Sequence, residues 1–528
     1  MKTMKLQKMV SLVLSLLLCL VTVLGAAENA QSEPTSAANG VVAKVVKMCG
    51  SGDPGNLSPW NGSSGPRATY LPMFYQSLIT RTSTGEVELC LAKSYEKLDE
   101  LTYRVSLYDY IYDTDHHPLT ASDIVYSYQK AKEIGKASGI NTIESVTALD
   151  DYTVEFKYSS LGVGDLYDSW SLFVTTQAAY EASPDEMATT PVGTTQYRLR
   201  EYTADYVCIA EKTNDYWQKD ASLIDTMSQA NVETIEWYVI KEAEQRSIAL
   251  QNGTVDQANI SYTAVKAMEG SDIQTVALGG TETIMLFCNM SENSVLSKSK
   301  EVREAIFYAL DHEALAAGNT NGPYTPCYDL LNPYYHDYYA EDYKAEDNYY
   351  DYNPEKAREL LKAAGYDKGL TLSLMCRNRT DFTDEAAMIQ AYLEEVGITL
   401  KINTYDVSLL SEYASNPELW DLYLFANGSS NSYGVGLYTK MFDAARYEWG
   451  GAVNFVRDDV LQARLSECSS TETYGEESMK AFHAYVIEQA YAMGLMQDTK
   501  YCGYSARVLN VVNNLSGNSA PWAWTYAE

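Results

Sequence analysis

The chain has 528 residues, enough to bury more than one core, and its 46% hydrophobic and 21% charged content is that of an ordinary soluble globular protein. Its formal net charge of −32 is not ordinary. So negative a surface repels phosphate and excludes nucleic acid and anionic membrane faces as partners.

Residues 1–27 read as a targeting segment, with Lys2, Lys5 and Lys8 ahead of an apolar run over 9–24 and Gly25-Ala26-Ala27 behind it. The run is short for a membrane span, so a signal peptide cleaved after Ala27 and an extracytoplasmic protein are expected. Residues 28–40, rich in Ala, Ser, Asn, Glu and Gln, read as a flexible leader.

An apolar stretch over 41–48 predicts a first strand. It runs into a turn-rich loop over 50–61 that carries Trp60 and Asn61. A helix over 68–79 follows, then a strand through Tyr103, Val105 and Leu107. Thr120 and Asp123 form a capping box for a helix with Ile124, Tyr128 and Ala131 on one side. Tyr152, Val154 and Phe156 alternate as another strand, so this part reads as a small α+β lobe. Strand signals dominate 190–280, notably 207–209 and 235–240. Residues 301–310 are helical, with Val302, Ile306 and Ala309 in step, and 323–351 form a Tyr- and Asp-rich loop without periodicity.

Residues 353–406 are the clearest part of the chain. Asn353 caps a helix with Pro354 in its first turn, Ala357, Leu360, Leu361 and Ala364 repeat at helical spacing, and Gly365 ends it. Leu370, Leu372 and Leu374 then alternate as a strand. The pattern recurs with Thr383 as cap, Ile389, Leu393 and Val396 on one face, Gly397 as stop, and Ile398, Leu400 and Ile402 as a strand. Alternating helices and strands imply a covered α/β sheet, which binds ligands beyond the carboxyl ends of its strands. A last helix is expected over 478–492.

Tyr is over-used, with 44 residues against 10 Phe, and a hydrated surface accounts for most of them. Eight cysteines lie beyond residue 27, scattered and without CxxC or metal-finger spacing, which predicts mostly buried thiols. No P-loop, G-x-S-x-G, H-E-x-x-H or G-x-G-x-x-G occurs, so no catalytic residue, metal or cofactor is expected. His116-His117 reads as a surface turn. The sharper feature is Arg377-Asn378-Arg379, directly beyond a predicted strand, because a guanidinium fork suits a carboxylate. Trp60, Trp170, Phe173 and Trp449 are candidate aromatic walls for a pocket.

Several segments in order resemble bacterial extracellular solute-binding proteins of family 5, the oligopeptide- and dipeptide-binding proteins of ABC importers. They include Pro118-Leu119-Thr120-Ala121-Ser122-Asp123, Pro191-Val192-Gly193-Thr194-Thr195-Gln196-Tyr197, Asn214-Asp215-Tyr216-Trp217 and residues 353–366. The resemblance spans 41–512. It implies an α/β, two-lobed, hinged periplasmic-binding-protein type II-like fold with an extra α+β domain. Lobe I would hold 41–72, 190–283 and 499–528, the extra domain 73–189, and lobe II 284–498. It also implies a monomer that is no enzyme, a peptide or small-molecule ligand, and delivery to a membrane permease driven by ATPases.

Relatives hold a peptide's carboxyl end with an arginine after the strand that ends here at Arg377 and Arg379. They hold its amino end with an aspartate after the strand at 421–425. Here that second loop reads Asn427, Gly428, Ser429, Ser430, Asn431, Ser432, Tyr433, with no carboxylate. Amides and hydroxyls there bind backbone groups or sugar hydroxyls but do not neutralise an ammonium. A non-peptide polar solute sensed on the same fold is therefore the alternative, with a secreted glycan hydrolase behind it. Many relatives carry a lipobox, but Leu18 precedes Cys19 here and the apolar run continues past it, so no lipid anchor is expected.

Overall fold

The computed structural model describes residues 43–61, 65–82, 86–137, 139–319, 322–332, 338, 349–427, 433–445, 454–512 and 520–527. Among them, no helix is long and apolar enough to cross a membrane.

The 353–405 region folds as its pattern dictates. Asn353 Oδ1 accepts the Lys356 N–H at 3.0 Å, opening the helix Pro354–Ala363, and Gly365 leaves it at φ +88°. Strands Leu370–Arg377 and Ile398–Tyr405 then pair in parallel, Leu370 opposite Ile398 and Leu374 opposite Ile402, with helix Thr380–Glu395 connecting them. That helix starts before Thr383. Its cap residue is Arg379, so the first turn holds Asp381 close to the arginine side chain. Strand Leu422–Asn427 joins in parallel on the other side of Leu370–Arg377.

These strands are one end of an eleven-stranded sheet. Its order runs Ile398–Tyr405, Leu370–Arg377, Leu422–Asn427, Gln274–Cys288, Ala492–Tyr504, Gln257–Ile260, Ala43–Gly50, Val232–Val239, Val207–Lys212, Tyr197–Thr203, with Tyr324–Pro326 beside Ala492–Tyr504. The middle of the sheet is two long antiparallel strands of 15 and 13 residues, whose register shifts between Gly279 and Thr283. Each long strand serves three cores, with Met285, Phe287 and Ala492 turned to one of their own. Ile284, Leu286, Met493 and Leu495 lie in an aliphatic core with helices Lys300–Tyr308, Pro354–Ala363 and Thr380–Glu395, whereas Cys502 and Tyr504 lie in an aromatic core with Trp237 and Trp524. A bulge absorbs a local change of twist. Here it sits where the chain passes from one core to the other.

A separate four-stranded antiparallel sheet, Ala92–Lys97, Thr102–Leu107, Thr153–Tyr158 and Ile143–Asp150, packs against helix Ala121–Ile134. Asp123 accepts hydrogen bonds from the backbone N–H and the hydroxyl of Thr120 at 2.7 and 2.9 Å, the first being the carboxylate half of a capping box. The expected helix over 68–79 is much shorter. It ends at Tyr70 with a single 3₁₀ turn over Leu71–Met73, because Pro72 lacks an N–H and disfavours helical backbone before it.

All eight described cysteines are buried and no disulfide joins them. Among the described residues fifteen tyrosines are buried too.

Candidate functional site

Strand Leu370–Arg377 buries Leu372, Leu374, Met375 and Cys376, which fixes its end and delivers Arg377 and Arg379 just beyond the sheet. The two guanidinium groups lie 5.2 and 4.8 Å from the centre of the Phe382 ring, a cation–π arrangement that fixes both. Arg379 is heavily engaged. Its Nε donates to Asp381 Oδ1 at 2.7 Å and its Nη2 reaches Asp381 Oδ2 at 2.6 Å and Glu282 Oε2 at 2.7 Å. Arg377 is not. Its one ion pair, Nη1 to Glu282 Oε1, is 3.6 Å long, and its buried Nε has no hydrogen-bond partner.

Burial opposes the charge on Arg379, but its bonds to Asp381 and Glu282 outweigh that and push its pKa up. Burial likewise opposes the charge of Asp381, yet Arg379 and the Tyr324 hydroxyl, which donates at 3.0 Å, hold its pKa below the ordinary value. One helical turn further, Glu385 has no exposed surface, and neither carboxylate oxygen has a hydrogen-bond partner. Burial pushes its pKa up to about 7. The Asn319 amide works against the rise and the charge of Asp381 adds to it.

Glu282 comes from the long strand Gln274–Cys288, inside the register shift. Its backbone N–H donates to Asp498 Oδ1 at 2.7 Å, on the other long strand. Asn427 stands opposite Thr283 in the ladder, so strand Leu422–Asn427 ends beside the same bulge. The carboxyl ends of two strands and the crossing strands therefore converge, the place where such sheets hold ligands. With two arginines facing two carboxylates the cluster carries no net charge, but its hydrogen bonding is lopsided. Arg377 has most of its donors uncommitted, whereas Arg379 has Nε and Nη2 committed to carboxylates and only Nη1 left over.

The remaining candidates scatter. Trp60 is a core residue: it is 1% exposed, its Nε1 donates to the Phe173 carbonyl at 2.8 Å, and its ring meets Tyr180 at 5.0 Å. Trp170 is also core, 1% exposed with the rings of Tyr95, Tyr103 and Phe156 around it. This packing places both indoles inside the aromatic core. An indole supplied the largest apolar area available, and it closed the domain. Phe173 is half-buried against Tyr75, and Asn61 accepts a hydrogen bond from Lys136 at 2.7 Å. Ser430, Asn431, Trp449 and the side chain of Asn427 lie outside the described residues. Tyr433 meets residues of the 73–189 segment. Arg81 lies 4.8 Å from its ring centre and donates to its hydroxyl at 3.2 Å, and Gly164, at φ +85°, leaves no room for a Cβ against its ring.

Sequence reasoning missed Glu282, Asp381, Glu385 and Arg81. Glu385 alone left a signal, since it falls in step with Phe382, Ala386 and Ile389 on the apolar face of its helix. Asp381 lies only two residues past Arg379, whereas Glu282 and Arg81 meet their partners through contacts that spacing does not encode.

Residues 86–449 match the family model of bacterial extracellular solute-binding proteins, family 5. The glutathione-binding protein GsiB of Pectobacterium atrosepticum is 25% identical over 362 residues, covering 66% of this chain and 67% of that protein. The substrate-binding protein CtaP of Listeria monocytogenes superposes with a TM-score of 0.75 at 21% identity, over 92% of this chain and 100% of that one. The oligopeptide-binding protein AppA of Bacillus subtilis, solved with a nonapeptide, gives 0.72 at 19%, over 93% and 100%. These structures share the fold of this chain. The chain belongs to the bacterial extracellular solute-binding proteins of family 5, the extracytoplasmic receptors that hand captured solute to ABC importers.

Proposed function

We propose that this receptor captures a short peptide or peptide-like acid by an anionic end, with Arg377 as the anchor and Arg379 as a structural partner of Asp381. The carrying observation is the contrast between the two guanidiniums: one has three short bonds to carboxylates, the other a single 3.6 Å pair and an unused buried Nε. Glutathione as the ligand of a relative, and a nonapeptide in AppA, support a peptide-like solute. The loop after Asn427 offers no carboxylate for an ammonium, so an amino end needs no free charge.

The rest of the reading follows the family. A signal peptide over 1–27 exports the chain. Lobe I comprises 41–72, 190–283 and 499–528, the extra domain 73–189 and lobe II 284–498, and the lobes close about the long strands when solute binds. The contacts of Arg81 and Gly164 with Tyr433 would then join the extra domain to lobe II.

Calorimetry on Arg377→Ala and Arg379→Ala with glutathione and a panel of tripeptides tests the anchor. Arg377→Ala should weaken binding by roughly 30- to several-thousand-fold, the cost of removing one partner of a desolvated charge pair. Acetylating the peptide's amino end should change little. Wild-type affinity in Arg377→Ala would overturn the anionic-end reading and leave a neutral polar solute, such as a sugar, in its place.

A further inference from the structure

Glu282 is the residue that both arginines share. Its two carboxylate oxygens are divided between them, Oε2 to Arg379 at 2.7 Å and Oε1 to Arg377 at 3.6 Å. The side chain is only 12% exposed and is carried on the bulged part of a strand that runs between the two cores. Its backbone is pinned to the neighbouring long strand through Asp498, so the carboxylate is delivered to the arginines by the main chain. A carboxylate arriving from solution would meet Arg377 with one side already facing a negative oxygen.

We propose that Glu282 is a specificity-determining residue, an internal carboxylate that occupies the arginine pair and that an incoming anionic ligand end must displace from Arg377. This rests on the anionic-end reading above and deepens it. The pair retains Glu282 through Arg379 when Arg377 turns to the ligand, because the short contact is to Arg379 and the long one to Arg377. A neutral or cationic end gains nothing from the exchange. A carboxylate gains a guanidinium fork but loses to repulsion from Glu282, so the receptor discriminates against weak anions and admits those that bring further contacts. Removing this negative charge should then tighten binding of a carboxylate, the reverse of what deletion of a site residue ordinarily does.

The test uses the mature chain and sodium acetate as a stand-in for a ligand's carboxylate end. Sodium chloride at matched ionic strength and acetamide serve as controls, read by NMR titration of the arginine side-chain signals. Glu282→Gln should bind acetate about tenfold more tightly than the wild type, the scale of one like-charge contact removed, with acetamide unaffected. Glu282→Met, with no hydrogen-bonding end, should show the same gain, and circular dichroism on both variants confirms that they are folded. The double variant Arg377→Ala/Glu282→Gln should lose the gain.

Equal or weaker acetate binding in both single variants would overturn the proposal, and so would a gain that survives the loss of Arg377. The peptide experiment above separates the two ideas. Weakened peptide binding by Arg377→Ala without an acetate gain in Glu282→Gln removes only the competition. An acetate gain with peptide affinity untouched by Arg377→Ala removes the anionic-end reading.

Discussion

The two cores joined by the long strands are built from different materials. On the flank of residues 43–260 the core is crowded with rings, among them Trp60, Tyr75, Tyr128, Trp170, Tyr197, Trp217 and Trp237. On the flank of residues 284–490, one core packs Ile, Leu, Val and Ala between helices and strands and holds few rings beyond Phe307, Tyr350 and Phe382. The difference follows from the backbone each must satisfy. The 353–405 units bond their own peptide groups, so their core needs only apolar volume. The first flank runs through turns and short elements that leave carbonyls inside, and aromatic side chains supply the donors. Tyr75 donates to Leu57 at 3.1 Å, Tyr128 to Ser169 at 2.6 Å, Tyr197 to Val232 at 2.7 Å and Trp522 to Met227 at 2.6 Å. Irregular chain is closed by rings with polar tips in the first core and regular chain by aliphatic groups in the second, while a third core on the 284–490 flank, around Trp420, Tyr423, Tyr438, Phe442 and Phe482, is itself rich in rings.

The largest test of this contrast is Trp170→Ala. Emptying a space enclosed by Tyr95, Tyr103 and Phe156 should cost about 3–5 kcal/mol in denaturant unfolding, and a loss below about 1 kcal/mol would show that the rings do not carry that flank. On the other flank Glu385→Gln should do the opposite and stabilise. The folded state holds this carboxyl protonated up to about pH 7 while the unfolded chain loses its proton near 4.5. Folding is therefore penalised progressively between those values and in full above them. The variant should gain about 2–3 kcal/mol at pH 8, shrinking to nothing near pH 4.5, in thermal unfolding followed across pH.

Arg379→Ala comes next. It strips the buried Asp381 of its bidentate partner, but the arginine is 42% exposed, so water screens part of the effect. A loss of about 1–3 kcal/mol is expected, with peptide affinity changed far less than in Arg377→Ala. Tyr128→Phe is the smallest and most specific change. Removing one hydroxyl leaves the Ser169 carbonyl short of a donor at constant ring volume, worth about 1 kcal/mol. A null result there would mean that ring area alone, and not the polar tip, seals the irregular flank.

The same contrast explains what the sequence made legible. Asn353, Pro354, Gly365 and the Leu370–Leu374 alternation specify structure through neighbours a few residues away, and the helix, stop and strand stand where those residues put them. The helix over 68–79 was misjudged because one proline outweighed a favourable apolar pattern. Arg377 and Arg379 can be placed from the sequence because a strand end locates them. Glu282 cannot, since it meets Arg379 across 97 positions of chain and only the folded register brings them together. Trp60 and Trp170 were drawn toward the site by chemistry that suits a pocket and a core equally well.

The eight described thiols are divided evenly between the flanks: Cys49, Cys90, Cys208 and Cys502 on one, Cys288, Cys327, Cys376 and Cys468 on the other. Burial raises the pKa of those at positions 49, 208, 288 and 468 to about 12, so none of these four is a ready nucleophile while its surroundings stay closed. An alkylating reagent can reach each sulfur only when that part of the molecule opens, and the labelling rate at each position becomes a clock for local unfolding. The protein thus carries its own set of reporters, four per flank. Counting modified peptides over time would show which half breathes first, and whether ligand at the junction quiets both.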